Sequence, residues 1–216
     1  MPEPYDAVLL DLYDTIVWSD WASLRDKIAS RLGLDDRTLI EAFDQTRPLR
    51  GVGQNDDVEG DMAQVLRAAG VAADPDLVEE LVQLERVELE HGVHLYDDVL
   101  PTLATLRDRD VKLGLISNCS HSTRPVVDRL GLEDAFDQVL LSYEVRAMKP
   151  DPAIYEMALE RLEVSAGRAV FVDDQPDYCD GGAAVGMATR LILRANEDPP
   201  ADTYSHGVVT DLAWLR

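Results

Sequence analysis

The chain has 216 residues, 46% of them hydrophobic and 29% charged: enough to bury one good core with room for a smaller second unit, and too apolar for disorder. Its 42 acidic against 20 basic residues leave a formal charge of −22, a field that argues against nucleic-acid and anionic-membrane partners. No stretch reaches the roughly 18 apolar residues of a membrane span. Met1-Pro2-Glu3-Pro4 leads almost straight into a strand without a basic-then-apolar leader, so a cytoplasmic protein, monomeric or homodimeric, is expected.

Residues 5–12 read as a buried strand ending at Asp11. The next seventy or so residues read as helix after helix. Trp21–Leu32 carries Leu24, Ile28 and Leu32 at helical spacing and stops at Gly33. Further helices are expected over about 36–44, 57–69 and 75–90. Asp36 and Asp57 serve as N-caps or first-turn acids, and Asp74-Pro75 is the clearest start. From about residue 97 the pattern alternates. Helices over 99–107, 123–130, 152–162 and 177–185 each precede a strand, over 111–116, 138–141, 168–172 and 188–193.

Strands alternating with helices of about ten residues specify a parallel sheet with right-handed crossovers. The fold class is therefore α/β: a Rossmann-like parallel sheet with helices on both faces, formed by residues 1–15 and 93–216. An all-helical unit, residues 16–92, is inserted after strand 1. Placed at the carboxyl end of that strand, it hangs over the edge of the sheet where ligands bind, and reads as a lid or cap. Trp18 and Trp21 stand at the junction, as cap core or as cavity lining. Cys119 and Cys179 have no metal-ligand spacing and read as small buried hydrophobes, and His91/His94 lacks a second ligand pair.

Four polar signals lie at or just past strand ends. They are Asp11-Leu12-Tyr13-Asp14-Thr15, Ser117-Asn118, Lys149 (followed by Tyr155) and Asp173-Asp174. Each alone is ordinary: a turn, a solvated lysine, a pair of capping acids. Together, in one sheet, they converge on one pocket. Lys149 is also scarce chemistry, since Lys27 and Lys112 are the only other lysines. Asp11, Asp173 and Asp174 would bring up to three negative charges against one ammonium. Either one acid turns away or a hard cation sits among them, and Mg²⁺ fits an all-oxygen donor set.

In order and spacing these signals resemble the haloacid dehalogenase superfamily of hydrolases with a small helical cap, over essentially the whole chain. The resemblance implies Asp11 as nucleophile, forming an aspartyl intermediate. It implies Thr15 and Ser117 as holders of the anionic oxygens, and Lys149 as the compensating charge. It implies Mg²⁺ bound by Asp11, the Tyr13 carbonyl, Asp174 and Asp173, with Asp174 favoured as the direct ligand. Tyr13, Asn118, Tyr155 and Arg47 are expected to touch a small anionic substrate. Arg47 and Arg50 are placed in a loop between cap helices.

The first motif departs from the superfamily's phosphatases. Where they carry a second aspartate that protonates the leaving alcohol, this chain has Tyr13. A positioned acid is worth about 10²–10⁴-fold, and a phenol with a pKa of about 10 is a poor substitute. Tyrosine there resembles the 2-haloacid dehalogenases, whose halide leaves unprotonated and which work without metal. The acids of the fourth motif resemble the Mg-dependent phosphatases instead. Phosphoryl hydrolysis is the reading favoured by charge; a metal-independent 2-haloacid dehalogenase is the alternative, and a weakly catalytic scaffold that binds a ligand or partner the third.

Overall fold

The computed structural model describes residues 5–194 and 206–216; the expectation drawn from Met1–Pro4 lies outside the described residues. Six strands form one parallel sheet: β1 (Ala7–Leu10), β4 (Lys112–Ser117), β5 (Gln138–Leu141), β6 (Ala169–Asp173), β7 (Ala188–Ile192) and β8 (Gly207–Val209). Their spatial order is β5-β4-β1-β6-β7-β8, with every pairing parallel. β1 is central, wholly buried, and bracketed by β4 and β6.

Period-two alternation sends β1 into two cores. Val8 and Leu10 join the apolar residues of α5 (Val99–Asp108) and α6 (Arg124–Arg129) on one face. Ala7 and Leu9 join Ile154, Tyr155, Ala158 and Leu162 of α9 (Pro152–Leu162) on the other. Two short helical turns, α7 (Leu132–Ala135) and α8 (Ser142–Val145), flank β5, and α10 (Pro176–Ala184) packs on β6 and β7. Because the sheet is parallel, Asp11, Ser117 and Asp173 all stand at one edge.

The insertion after β1 opens and closes with a two-stranded antiparallel ribbon that the pattern reading did not include. β2 (Val17–Ser19) pairs with β3 (Val93–Leu95), and Trp18 tilts against His94 across it with centroids 4.7 Å apart. Three-residue strands carry too little alternation to register as strands. Between them lie α1 (Trp21–Leu32), α2 (Asp36–Gly51), α3 (Val58–Ala68) and α4 (Pro75–Gly92). Asp20, Asp35, Asp57 and Asp74 each accept a backbone N–H of the first turn they cap. These helices enclose their own apolar cluster around Leu24, Ile28, Leu39, Leu66 and Leu81.

α2 is the main revision. It was expected to end near Asp44, with Arg47 and Arg50 in a loop beyond it, but it continues through Pro48 to Gly51. A proline removes one donor from the ladder and crowds the turn before it. Two side chains bond carbonyls further upstream: Thr46 Oγ1 donates to Ala42 O at 2.8 Å, and Arg50 Nη2 donates to Phe43 O at 3.0 Å. Arg47 and Arg50 are therefore helical residues.

Among the described residues, no helix is long and apolar enough to cross a membrane.

Candidate active site

Asp11 follows β1, and its amide donates to Val172 O at 3.0 Å, pinning the start of the loop to β6. Asp11 is 6% exposed, and its carboxylate accepts from Lys149 Nζ through Oδ1. The same ammonium reaches Asp173 Oδ2 at 2.7 Å and lies 5.1 Å from the Tyr178 ring centroid. Lys149 is 1% exposed. Burial works against its charge, but Asp11 and Asp173 outweigh that and hold its pKa above the ordinary lysine value. Burial pushes the Asp11 carboxyl upward, Asp173 and Asp174 add to this, and Lys149 opposes it.

Asn118 explains how Lys149 is held. Its Nδ2 donates to Lys149 O and its Oδ1 accepts from Lys149 N, both at 2.8 Å. Asn118 lines the cleft, as expected of a substrate contact. With both ends of the amide engaged, however, the contact it makes is a positioning one.

Asp173 and Asp174 divide the work. Asp173 is fully buried and uses both oxygens, Oδ2 for Lys149 and Oδ1 for the Gln175 amide at 2.8 Å. Asp174 lines the cleft, with Oδ2 accepting from Gln175 Nε2 at 2.5 Å. Burial, then the charges of Asp173 and Asp14, push its carboxyl up to about 7. Asp11, Asp173 and Asp174 each offer an oxygen, all within 4.8 Å of one another. That donor set fits a hard divalent cation.

Tyr13 lines the cleft, but its hydroxyl is drawn to Thr123 Oγ1 at 3.4 Å, and burial raises the phenol pKa. It is an even weaker acid here than in water. Ser117 lines the cleft with a buried hydroxyl that has no hydrogen-bond partner among the described residues. The Thr15 hydroxyl is likewise buried and unpartnered, but Thr15 is not among the cleft residues. Cys119 also faces the cleft; burial pushes its thiol up to about 12, so it is no nucleophile near neutrality.

Tyr155 is a correction. It was expected to touch substrate, yet it is fully buried beneath the sheet, edge-on to Phe171, and donates its hydroxyl to Tyr178 O at 2.7 Å. It supports the wall that carries Tyr178. α9 turns this tyrosine into the core, a direction that distance along the chain from Lys149 does not reveal.

The cleft holds about 600 Å³, within the usual range for a small-molecule site. Its far wall comes from the insertion: Trp21 and Arg25 of α1, and Phe43, Asp44, Arg47 and Arg50 of α2. Of the two junction tryptophans, Trp21 lines the cavity and Trp18 is 43% exposed. Behind the cleft a buried polar joint ties insertion to core. Asp61 of α3 accepts from His121 Nδ1 at 2.8 Å and from Asn55 Nδ2 at 2.8 Å. The sequence reading missed this pair, since a lone acid in one helix gives no sign of its partner sixty residues away.

A family model described as haloacid dehalogenase-like hydrolase matches residues 5–186. The chain belongs to that family and is a hydrolase. Its relatives in the family divide by reaction. A phosphatase of Mycobacterium tuberculosis is 29% identical over 97% of this chain and 94% of its own. A glyceraldehyde 3-phosphate phosphatase of Methanopyrus kandleri is 32% identical over 87% and 84%. The crystal structure of a 2-haloacid dehalogenase from Pseudomonas syringae superposes with a TM-score of 0.71 at 27% identity, covering 97% of this chain and 95% of that one.

Proposed function

We propose that this haloacid dehalogenase-like hydrolase is a Mg²⁺-dependent phosphohydrolase of a small metabolite, with Asp11 as nucleophile. The observation that carries this is the charge count around one lysine: Lys149 spans Asp11 and Asp173, and Asp174 faces the cleft beside them. A metal-free anion site would place substrate charge against that surplus. Mg²⁺ would be held by Asp11, Asp174 and the Tyr13 carbonyl, with Asp173 holding Lys149 in place. When bound, it would neutralise phosphoryl oxygens.

The residues then divide the reaction. Lys149 favours the ionised form of Asp11 against burial, and aims it. Asp11 attacks phosphorus, forming the aspartyl–phosphate bond as the bond to the leaving oxygen breaks. The Ser117 hydroxyl, buried and unpartnered at the cleft wall, is available to a phosphoryl oxygen. Water then cleaves the acyl phosphate and returns Asp11. Tyr13, held toward Thr123, supplies no efficient proton to the leaving oxygen. The favoured substrates therefore carry leaving groups that depart as anions, such as acyl phosphates or phenol-like esters.

A second reading rests on the same tyrosine. With no acid required for a departing halide, Asp11 could displace halide from a 2-haloacid, forming an aspartyl ester without metal. A panel of acyl phosphates, aryl phosphates, alkyl phosphates and 2-haloacids, assayed with Mg²⁺ and with EDTA, separates the two. Phosphate release abolished by EDTA is the expected result. Halide release that survives EDTA would replace the first reading with the second.

A further inference from the structure

Lys149 meets two kinds of partner. An ammonium has three N–H donors and no acceptor. Asp11 Oδ1 and Asp173 Oδ2 each take one. Among the described residues it has no oxygen partner beyond these two acids. Its other neighbours are aromatic: Nζ lies over two rings, 5.1 Å from the Tyr178 centroid and 5.4 Å from the Phe171 centroid. Both fall within the roughly 6 Å at which a ring face attracts a cation.

The two rings stand in different surroundings. Phe171 belongs to β6 and is fully buried in the apolar core. Tyr178 belongs to α10, is half-buried, and lines the cleft. Lys149 is not among the cleft residues, and its side chain has no exposure. Tyr178 is therefore the one of the two rings that a ligand in the cleft can reach.

One buried residue braces both rings. Tyr155 lies edge-on to Phe171, with centroids 5.3 Å apart, and donates its hydroxyl to Tyr178 O at 2.7 Å. Gly181 comes three residues after Tyr178, and so on the same side of α10. It lets that side come close: any Cβ there would stand 2.8 Å from Tyr155 Oη and 2.9 Å from the carbonyl oxygen of Pro150, the residue after Lys149. The helix that carries Tyr178 is thus set directly against the segment that carries the lysine.

We propose that Tyr178 is a positioning residue: its ring holds the Lys149 ammonium on Asp11 and Asp173 and keeps an anion in the cleft from drawing it away. A lysine head on four flexible carbons is a mobile charge, and a bound phosphate or carboxylate would compete with Asp11 for it. A ring face attracts the cation yet offers the anion no donor, so it confines the charge without binding substrate. The inference rests on the Asp11–Lys149 pair, which the phosphohydrolase and dehalogenase readings share, and holds for either.

Fluorine withdraws electron density from a ring face with little change of shape, so a graded series reads the contact itself. Phenylalanine and its 4-fluoro, 3,5-difluoro and 3,4,5-trifluoro forms are placed at position 178. kcat and KM are measured on the panel substrate that wild type turns over best. kcat is expected to fall with each fluorine, reaching about ten-fold below Tyr178→Phe at the trifluoro form, as a desolvated cation–ring contact allows, with KM nearly constant. A flat kcat overturns the proposal, and so does a rising KM in its place, which would make Tyr178 a substrate contact. A second measurement needs no turnover. The chain's only lysines are Lys27, Lys112 and Lys149, so a lysine-labelled sample gives few signals, assigned with Lys27→Arg and Lys112→Arg. Ring currents are expected to place the Lys149 ε-methylene protons upfield of the other two, and Tyr178→Leu to move them downfield. A Lys149 signal beside the others, or one unmoved in Tyr178→Leu, overturns the proposal. If Tyr178→Leu loses its fold by circular dichroism, the trifluoro form takes its place: its Lys149 ammonium protons should exchange with water faster than those of Tyr178→Phe, and equal rates overturn the proposal. No turnover of any panel substrate, with the Lys149 shift and its change in place, sinks the reaction reading and supports the hold of Tyr178 on the lysine.

Discussion

Tyr13 is the residue on which the chemistry turns, because it stands where an acid would serve an alcohol leaving group and is bound away from that task. Its hydroxyl faces Thr123 and its phenol is raised by burial. Replacing it restores the missing group in one step. Tyr13→Asp is expected to raise kcat on simple alkyl phosphates by on the order of 10²-fold, and to change kcat on acyl phosphates far less, since only the former needs a proton at the leaving oxygen. The check is kcat on both substrate types at saturating Mg²⁺. Equal gains on both would show that Tyr13 limits something other than leaving-group protonation. Asp11→Asn should bring both to background, because an amide is not a nucleophile toward phosphorus. A variant that keeps more than a hundredth of wild-type kcat would remove Asp11 from that role.

The elements matter through how insertion and core are joined. Glu85 of α4 is 6% exposed at this joint, and burial, opposed by Ser122 and Arg50, raises its pKa from 4.5 to about 7. The native chain therefore holds a proton there that the unfolded chain has lost, from about pH 4.5 to about pH 7. Stability from this group is fully present below that window and is lost as pH rises through it. Glu85→Gln has no such loss. The variant is expected to gain on wild type across the window, by roughly 2–3 kcal/mol at pH 8 relative to pH 4.5. Urea midpoints at the two pH values measure it, and a pH-independent difference would contradict it. Little of this joint was legible in the sequence, whereas the sheet was. β5 and α9 fall at the bounds expected of them, since buried strands and helices between turn signals write their period into the chain. Pairs such as Asp61 with His121 do not, because they depend on how two units meet. The site divides the same way. Asp11, Lys149 and Asp174 lie on loops, and Ser117 ends β4, at one sheet edge where topology alone gathers them. Tyr155 misled because its face of α9 is chosen by packing; Arg47 lines the cleft, but from α2 and not from a loop.

At the scale of the whole molecule, the charge of −22 sets a control that any metal experiment must include. Mg²⁺ at the Asp11–Asp174 cluster would bind the native state and not the unfolded chain. At a hundred times its Kd it would stabilise by about 2.7 kcal/mol. For a chain of this length that corresponds to a rise in Tm of roughly 5–10 °C. Any salt, however, also screens self-repulsion in so acidic a protein and raises Tm without a site. Specific binding is therefore the part of the shift that NaCl of matched ionic strength does not reproduce, and that Asp174→Asn loses. Asp174→Asn should itself raise Tm in the absence of Mg²⁺, because it removes a carboxyl that burial and Asp173 already hold up at about 7. The expected pattern is a crossing: the variant more stable without magnesium, the wild type more stable with it. Parallel curves in Mg²⁺ and NaCl, for both proteins, would mean that the three acids hold no cation and that the dehalogenase reading should take the place of the phosphohydrolase one.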